Sequence, residues 1–509
     1  MKVESQCRAL LSQKSGEDLV SRKMSRYVWD CIQRSKKNAA MKLPEVSQTP
    51  ILLQRLQWIA DPIGYMDAAV QDYGDIFAAP LGKDSRPLVF VSNPQALQQI
   101  LTNDPKEFTA PGEFNEILKP LLGDYSVILV SGDRHHRQRQ LLMPPFHGER
   151  MRAYGQLICD ITQEVMSQLT PGKIFSARSA MQEISLEIIL NAVFGIHKGE
   201  RFQTIKRLMS SQTEIFKSPL AASFLFFPSL QKDLGPWSPW GHFSRLRKQI
   251  DELLYAEIQE RREQYDPSRT DILTLLLSAR VSEAGRDSVS EAGEPMTDVE
   301  LHDELLTLLF AGHETTATAM AWALYWVHHL PDVGEKLLKE LATLGDSPDP
   351  ISISRLPYLT AVCQETLRIY PVGMLTFPRV VRSPVKLMDY ELEPDTVLMG
   401  CIYLTHHRED LYPEAKQFKP ERFLERQFSA YEYLPFGGGS RRCIGMALAQ
   451  FEMKLVLATI LSSYQLALAE QRPVRAKRRG VTLAPVGGVK MVVKSATTQV
   501  RSRQLKVEV

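Results

Sequence analysis

Phe436-Gly437-Gly438-Gly439-Ser440-Arg441-Arg442-Cys443-Ile444-Gly445 places one cysteine at the end of a glycine-rich run. Three consecutive glycines resist both helix and strand, so a tight loop precedes the cysteine. The apolar run Met446 to Leu461 follows and reads as a helix. Cys443 therefore stands just before a helix N-terminus, where unpaired N–H groups and the helix dipole favour a thiolate. Arg441 and Arg442 add positive charge beside it. A thiolate on a rigid loop has the chemistry of an axial metal ligand. Taken alone, the same run also reads as a buried structural cysteine in front of a helix.

Working outward, Glu365-Thr-Leu-Arg368 sets an acid and a base three residues apart, on one face of a helix. As a bare pattern this is ordinary surface decoration. Phe418-Lys-Pro-Glu-Arg422-Phe423 lies downstream. Further upstream a capping box, Thr297 with Glu300, opens a helical pattern that nothing breaks before Pro331. Such a helix of about 32 residues would extend roughly 48 Å at 1.5 Å per residue. Its middle, Leu305 to Val327, is apolar except for His313, Glu314 and several threonines. Glu314 would be costly in lipid, so a central helix through a large core is the preferred reading over a membrane span. Ala311-Gly312-His313-Glu314-Thr315-Thr316 weakens that helix in mid-course, because threonine hydroxyls bond to backbone carbonyls. A close helix-packing site is the competing reading of Gly312. Nearer the N-terminus, His135 and Arg139 share one face of Gly132-Asp-Arg-His-His-Arg-Gln-Arg139. On its own that segment is a solvated basic helix.

The run Phe-x-x-Gly-x-Arg-x-Cys-x-Gly resembles the heme-binding signature of the cytochrome P-450 superfamily at every position. The resemblance covers about residues 41 to 495, with the motifs in the family's order. It implies a mainly α fold: one large helical domain with small β-sheets at one side. It implies heme b, held by Cys443 as the iron's axial ligand, with Phe436 beside it. Glu365, Arg368 and Arg422 would then form a buried triad that locks the cysteine loop. His135, Arg139, Arg379 and Arg441 would contact the heme propionates. Glu314 and Thr315 match the acid and the alcohol that guide protons to dioxygen. The implied activity is a monooxygenase acting on an apolar substrate such as a fatty acid or terpenoid. An isomerase, lyase or peroxygenase on the same fold, or a heme sensor, are the alternatives. Soluble cyanobacterial-type members are the nearest in pattern. His313 and the pair His406-His407 read as structural rather than as ligands.

The remaining sequence sets bounds. The chain has 509 residues, 44% hydrophobic, with a formal net charge of +2. Charge is uneven. Residues 1–42 carry ten Lys/Arg and four Asp/Glu, a net of +6, and residues 471–509 carry ten and one, a net of +9. Both ends read as a solvated arm and tail or as contacts for an anionic surface. Nothing calls for nucleic acid. The six cysteines show no CxxC, so zinc and disulfide frameworks are not expected. No apolar run of anchor length and no signal-peptide pattern opens the chain, so a cytoplasmic monomer without a transmembrane anchor is expected, with a peripheral place at a membrane surface as the alternative. Residues 1–40 are read as a dispensable extension or a misassigned start, with an ordered helix as the alternative. Residues 496–509 are read as a polar tail, and 280–296 as a surface loop.

Strands are expected at 87–92 and 396–399. A hairpin is expected from 481–484 and 489–493 around Pro485-Val-Gly-Gly488. Substrate contacts are expected from 108–122, from 219–228 with its run Phe224-Leu-Phe-Phe227, from the central helix and from 372–377. No flavin- or iron–sulfur-binding pattern is found, so electrons are expected from a separate acidic carrier, most simply a ferredoxin with its NAD(P)H-dependent reductase. It would dock on Arg134, Arg137 and Arg442.

Overall fold

The computed structural model describes residues 44–496, apart from 47–48, 83–86, 105, 147–148, 196–198, 216–230, 236–237, 281–293, 346–347 and 481. The expectations for residues 1–40, for 219–228 and for most of the terminal tail and of the 280–296 loop lie outside the described residues. The helices that build the site are α1 (Ile51–Ala60), α2 (Pro62–Tyr73), α3 (Gly132–Leu142), α4 (Glu149–Ser167), α5 (Ala177–Phe194), α6 (Pro239–Glu263), α7 (Asp298–His329), α8 (Pro357–Ile369) and α9 (Met446–Ser463).

The central helix α7 is as long as its sequence pattern requires. Thr297 caps it, accepting from the Glu300 N–H while the Glu300 carboxylate accepts from the Thr297 N–H. Acidic Asp298 and Glu300 open it, and His328 and His329 close it, matching the helix dipole at both ends. Leu330 and Pro331 end it. Most of its side chains are buried against protein, chiefly α5, and also α6, α8 and α9. Ile184, Ile188, Leu305, Leu309, Ala317, Met320, Leu455 and Ile460 belong to the one large core cluster formed there. Among the described residues α9 is the one helix long and apolar enough to cross a membrane, and 61% of it is buried inside the protein.

The strands are β1 (Glu45–Val46), β2 (Ile76–Ala79), β3 (Leu88–Val91), β4 (Phe108–Thr109), β5 (Ile174–Ser176), β6 (Arg379–Val381), β7 (Val385–Leu387), β8 (Tyr390–Leu392), β9 (Val397–Gly400), β10 (Tyr464–Leu468), β11 (Ala476–Arg479), β12 (Thr482–Pro485) and β13 (Lys490–Ala496). The two strands expected from sequence are β3 and β9. They pair in parallel, Leu88 opposite Val397, in a six-stranded sheet ordered β1-β2-β3-β9-β6-β4. The expected C-terminal hairpin does not form. β12 pairs with β11, whereas β13 pairs with β10 and β5. Gly487 and Gly488, at φ +74° and +76°, turn the chain out of the first sheet and into the second. Both strands are apolar, so local pattern could not choose their partners.

One buried acid gives the fold a pH dependence. Glu452 on α9 is 3% exposed, and burial pushes its carboxyl up to about 8 from an ordinary 4.5. The folded state therefore binds a proton that the unfolded chain releases above pH 4.5. Its contribution is complete below that pH and is lost as pH rises towards 8, at roughly 1.4 kcal/mol per pH unit. Glu452→Gln should remove this slope. Thermal melts from pH 5 to pH 8 should show the variant losing less stability with rising pH than the parent; parallel curves would contradict this.

Candidate functional site

The Cys443 loop is built from conformations that its glycines permit. Gly437 and Gly439 have φ of +68° and +64°, a left-handed region that costs other residues free energy. At Gly438 a Cβ would stand 2.7 Å from Leu101 Cδ1, so a side chain there would have to displace the end of Leu101. The Cys443 N–H donates to the Phe436 carbonyl at 3.0 Å and closes the loop. The thiol is exposed, unlike buried Cys363 and Cys401, although protein surrounds the loop. Burial pushes its pKa up. The Gly445 N–H, Arg139 and Arg442 oppose that rise without cancelling it. One expectation changes here. Arg441 takes no part, because its guanidinium turns the other way.

The loop is then locked from behind. On α8, Arg368 donates twice to Glu365, at 2.6 and 2.8 Å, and both side chains are fully buried. Arg422 Nε adds a bond to Glu365 at 3.3 Å, and the Lys419 N–H adds one at 2.8 Å. The two arginines also bind carbonyls: Arg368 those of His406 and Gln417, Arg422 those of Pro413, Glu414 and Gln417. His406 continues the chain, its Nε2 accepting from the Leu434 N–H at 3.0 Å. Burial and the nearby Arg368 hold its pKa far below normal, so the ring is neutral and can accept. Two residues on comes Phe436. The triad implied by the family resemblance is thus assembled, and His406, read from the sequence as structural, is its link to the loop.

Basic side chains gather beside the loop. His135 is buried on α3, and burial together with Arg441, Arg139 and Arg379 lowers its pKa to about 3. Arg441 donates to the carbonyls of Ala110, Val127 and Val130. Those partners leave its charge unneutralised, and burial and Arg379 lower its pKa to about 10. Arg379 pairs with Asp104 at 3.2 Å and donates to the Gly438 carbonyl at 3.0 Å. One carboxylate in ion-pair contact thus serves three guanidinium groups, Arg139, Arg379 and Arg441, with His135 held neutral beside them. The cluster is short of negative charge and is suited to an anionic ligand.

In the middle of α7, Leu308, Phe310, Ala311, Gly312, Glu314 and Thr315 are partly exposed while the turns on either side are buried. Leu308, Ala311, Gly312 and Thr315, spaced i, i+3, i+4 and i+7, share one face. Thr315 Oγ1 donates to the Ala311 carbonyl at 2.6 Å. Thr316 and Thr318 bond back to Gly312 and Glu314 in the same way. Gly312 is also a packing glycine, since a Cβ there would lie 2.9 Å from Ile189 Cδ1 on α5. Glu314 is held sideways. Its carboxylate forms an ion pair with Arg178, accepts from Gln182 at 2.5 Å, and has Arg479 at 3.8 Å. Sequence reading missed all three partners; a lone arginine in apolar α5 was the available signal. His313 is buried, with its ring Nδ1 2.5 Å from the Leu309 carbonyl, as a packed polar residue.

The family model described as "Cytochrome P450" matches residues 44–490. The chain is a cytochrome P-450. Two Mycobacterium tuberculosis proteins support the assignment. "Putative cytochrome P450 135B1" is 32% identical over 467 residues, 91% of this chain and 94% of that protein. "Putative cytochrome P450 138" is 31% identical over 462 residues, 89% and 97% respectively. The solved structure of retinoic acid-bound cyanobacterial CYP120A1 shares the fold, with a TM-score of 0.74, 22% identity and coverage of 90% of this chain and 100% of that one. Cytochromes P-450 bind heme b and are heme-thiolate monooxygenases. The residues here fit that cofactor on two counts. A cysteine is exposed at the end of the loop with Arg139 and Arg442 near it, and the basic cluster beside the loop has one carboxylate, Asp104, in ion-pair contact. A ferric iron and two propionates are complementary to both.

One docking expectation needs correction. Arg137 does not face solvent freely: it reaches Glu300 at 3.4 Å and the carbonyls of Glu294 and Pro295, both at 3.1 Å. It ties α3 to the start of α7. Arg134, lying 5.0 Å over the Tyr125 ring, and Arg442 are exposed.

Proposed function

We propose that this cytochrome P-450 inserts one atom of dioxygen into a C–H bond or alkene of an apolar small molecule, such as a fatty acid or terpenoid. The second oxygen atom leaves as water, with two electrons and two protons consumed. The reading is carried by one observation: the partly exposed face of α7, with Thr315 bonded to the Ala311 carbonyl, in a chain whose Cys443 stands exposed on a glycine-built loop. When bound, heme supplies the oxygen-activating chemistry. Cys443 would hold its iron and Phe436 would pack beside it. His135, Arg139, Arg379 and Arg441 would face its acidic groups, and Glu365, Arg368 and Arg422 would keep the loop in place. Thr315 positions a proton on that face of α7. Glu314 is the acid behind it, and to pass a proton inward it must leave Arg178. Substrate would be shaped by α7 and by residues 108–122 and 372–377. Electrons come from a separate acidic carrier, a ferredoxin with its reductase, docking beside Arg134 and Arg442 in the cytoplasm.

The test is turnover with ferredoxin, reductase and NADPH over an apolar substrate panel, comparing parent and Thr315→Ala. Losing the hydroxyl removes a proton-positioning group, a role worth on the order of 10²-fold. The variant should keep heme and substrate binding, form far less product per NADPH and release more hydrogen peroxide. Equal product yield per NADPH would remove Thr315 from the proton path. Product formed from peroxide alone, with no response to the reductase, would overturn the monooxygenase reading.

A further inference from the structure

Helix α1 is inside out. Its one buried residue is a glutamine, Gln54, which donates to the Thr49 carbonyl and accepts from the Tyr65 hydroxyl. Trp58 anchors the same side, edge-on to Tyr65 and Phe90. The aliphatic side chains point the other way. Ile51, Leu52, Leu53, Leu56 and Ile59 are 45%, 71%, 46%, 54% and 58% exposed. Among the described residues fifteen large apolar side chains are exposed, and five of them fall on this ten-residue helix. Scattered exposed leucines need no explanation, but a contiguous patch marks a contact surface.

The surroundings select the occupant. The only charge within α1 is Arg55, which is bonded to the Gly82 carbonyl. Arg478 on β11 lies 6.0 Å from the Trp58 ring, and Lys477 and Arg475 are exposed on the same stretch. Asp61 is the acid at the helix end, and its carboxylate already caps α2 by accepting from the Gly64 N–H. An apolar face flanked by positive charge is complementary to an anionic lipid surface. A protein partner fits less well. A stable interface needs about 800 Å² per side with polar groups in register, and α1 offers mainly branched aliphatic side chains, with Gln57 as its one exposed polar residue.

We propose that α1 and the basic residues of β11 seat this protein on an anionic membrane surface, with Leu52, Leu56 and Ile59 entering the headgroup layer. This reading stands apart from the proposed reaction, because lipid binding needs no turnover. The experiment is vesicle flotation of the full heme-loaded protein at about 0.1 M salt, with vesicles of neutral phosphatidylcholine or of phosphatidylcholine with 30% phosphatidylglycerol. The parent should float with the anionic vesicles and bind the neutral ones far more weakly. Leu52→Glu with Leu56→Glu should cut anionic-vesicle binding at least tenfold, and Lys477→Glu should cut it less. Heme content and the carbon-monoxide spectrum should stay at parental values, because these side chains face water. Failure of the parent to bind either vesicle would overturn the proposal. So would undiminished binding by the double variant, which would place the contact on another part of the chain. A parental dimer that the double variant dissociates would also overturn it, by assigning the face to a second copy.

Discussion

Cys443→Ala should abolish the long-wavelength Soret band that the reduced, carbon-monoxide-bound parent shows as the mark of thiolate ligation. The effect is expected to be complete because no described cysteine can take over. Cys363 and Cys401 are buried, and burial pushes the Cys363 thiol up to about 12 and that of Cys401 higher still. Cys159 is half-buried on α4, and burial raises its pKa too. Cys443 alone among them is exposed. Its position is set by the loop and not by the thiol: the closing bond runs from its own N–H to Phe436, and Arg379 holds Gly438. The alanine variant should therefore fold, and its thermal melt separates loss of the ligand from loss of the loop. A parental band in a folded Cys443→Ala protein would sink the heme-thiolate assignment of this residue.

Arg368→Ala should prevent a stable heme-loaded protein from accumulating. Arg368 and Glu365 are both fully enclosed. Removing the guanidinium leaves a buried carboxylate with the Lys419 N–H and a 3.3 Å contact to Arg422, and strands the carbonyls of His406 and Gln417. Breaking one side of a buried pair costs about 3–5 kcal/mol, a large part of a typical domain's stability. Arg368→Lys should fail nearly as badly, because an ammonium cannot make the paired carboxylate bonds and reach two carbonyls from a planar fork. Heme-to-protein ratio and melting temperature give the measurement. Parental values for both in Arg368→Ala would mean that the triad does not support the loop.

The candidate site was legible where the chemistry is local in the chain. The glycine-rich run, the Glu365 and Arg368 spacing, the capping box at Thr297 and the face shared by His135 and Arg139 each involve residues within a few positions of one another. Their geometry follows from loop and helix dimensions alone. Partners distant in sequence were read less well. Glu314 meets Arg178 from 136 residues away, and Arg137 meets Glu300 from 163 away. A basic helix looks alike whether its arginines face water or a neighbouring helix end. The missed hairpin has the same cause, since β12 and β13 are neighbours in the chain that join different sheets.

By itself, then, the sequence determined the cysteine loop, the Glu365 and Arg368 pair, the central helix with its ends, and the family they imply. These depend on backbone preference, hydrogen-bond reach and residue spacing, which act over a few residues. The tertiary structure alone decided which charges are neutralised, which way Arg441 and Glu314 point, and that α1 turns its leucines outward. Those outcomes depend on desolvation, and desolvation is set by whatever the whole fold packs against each side chain.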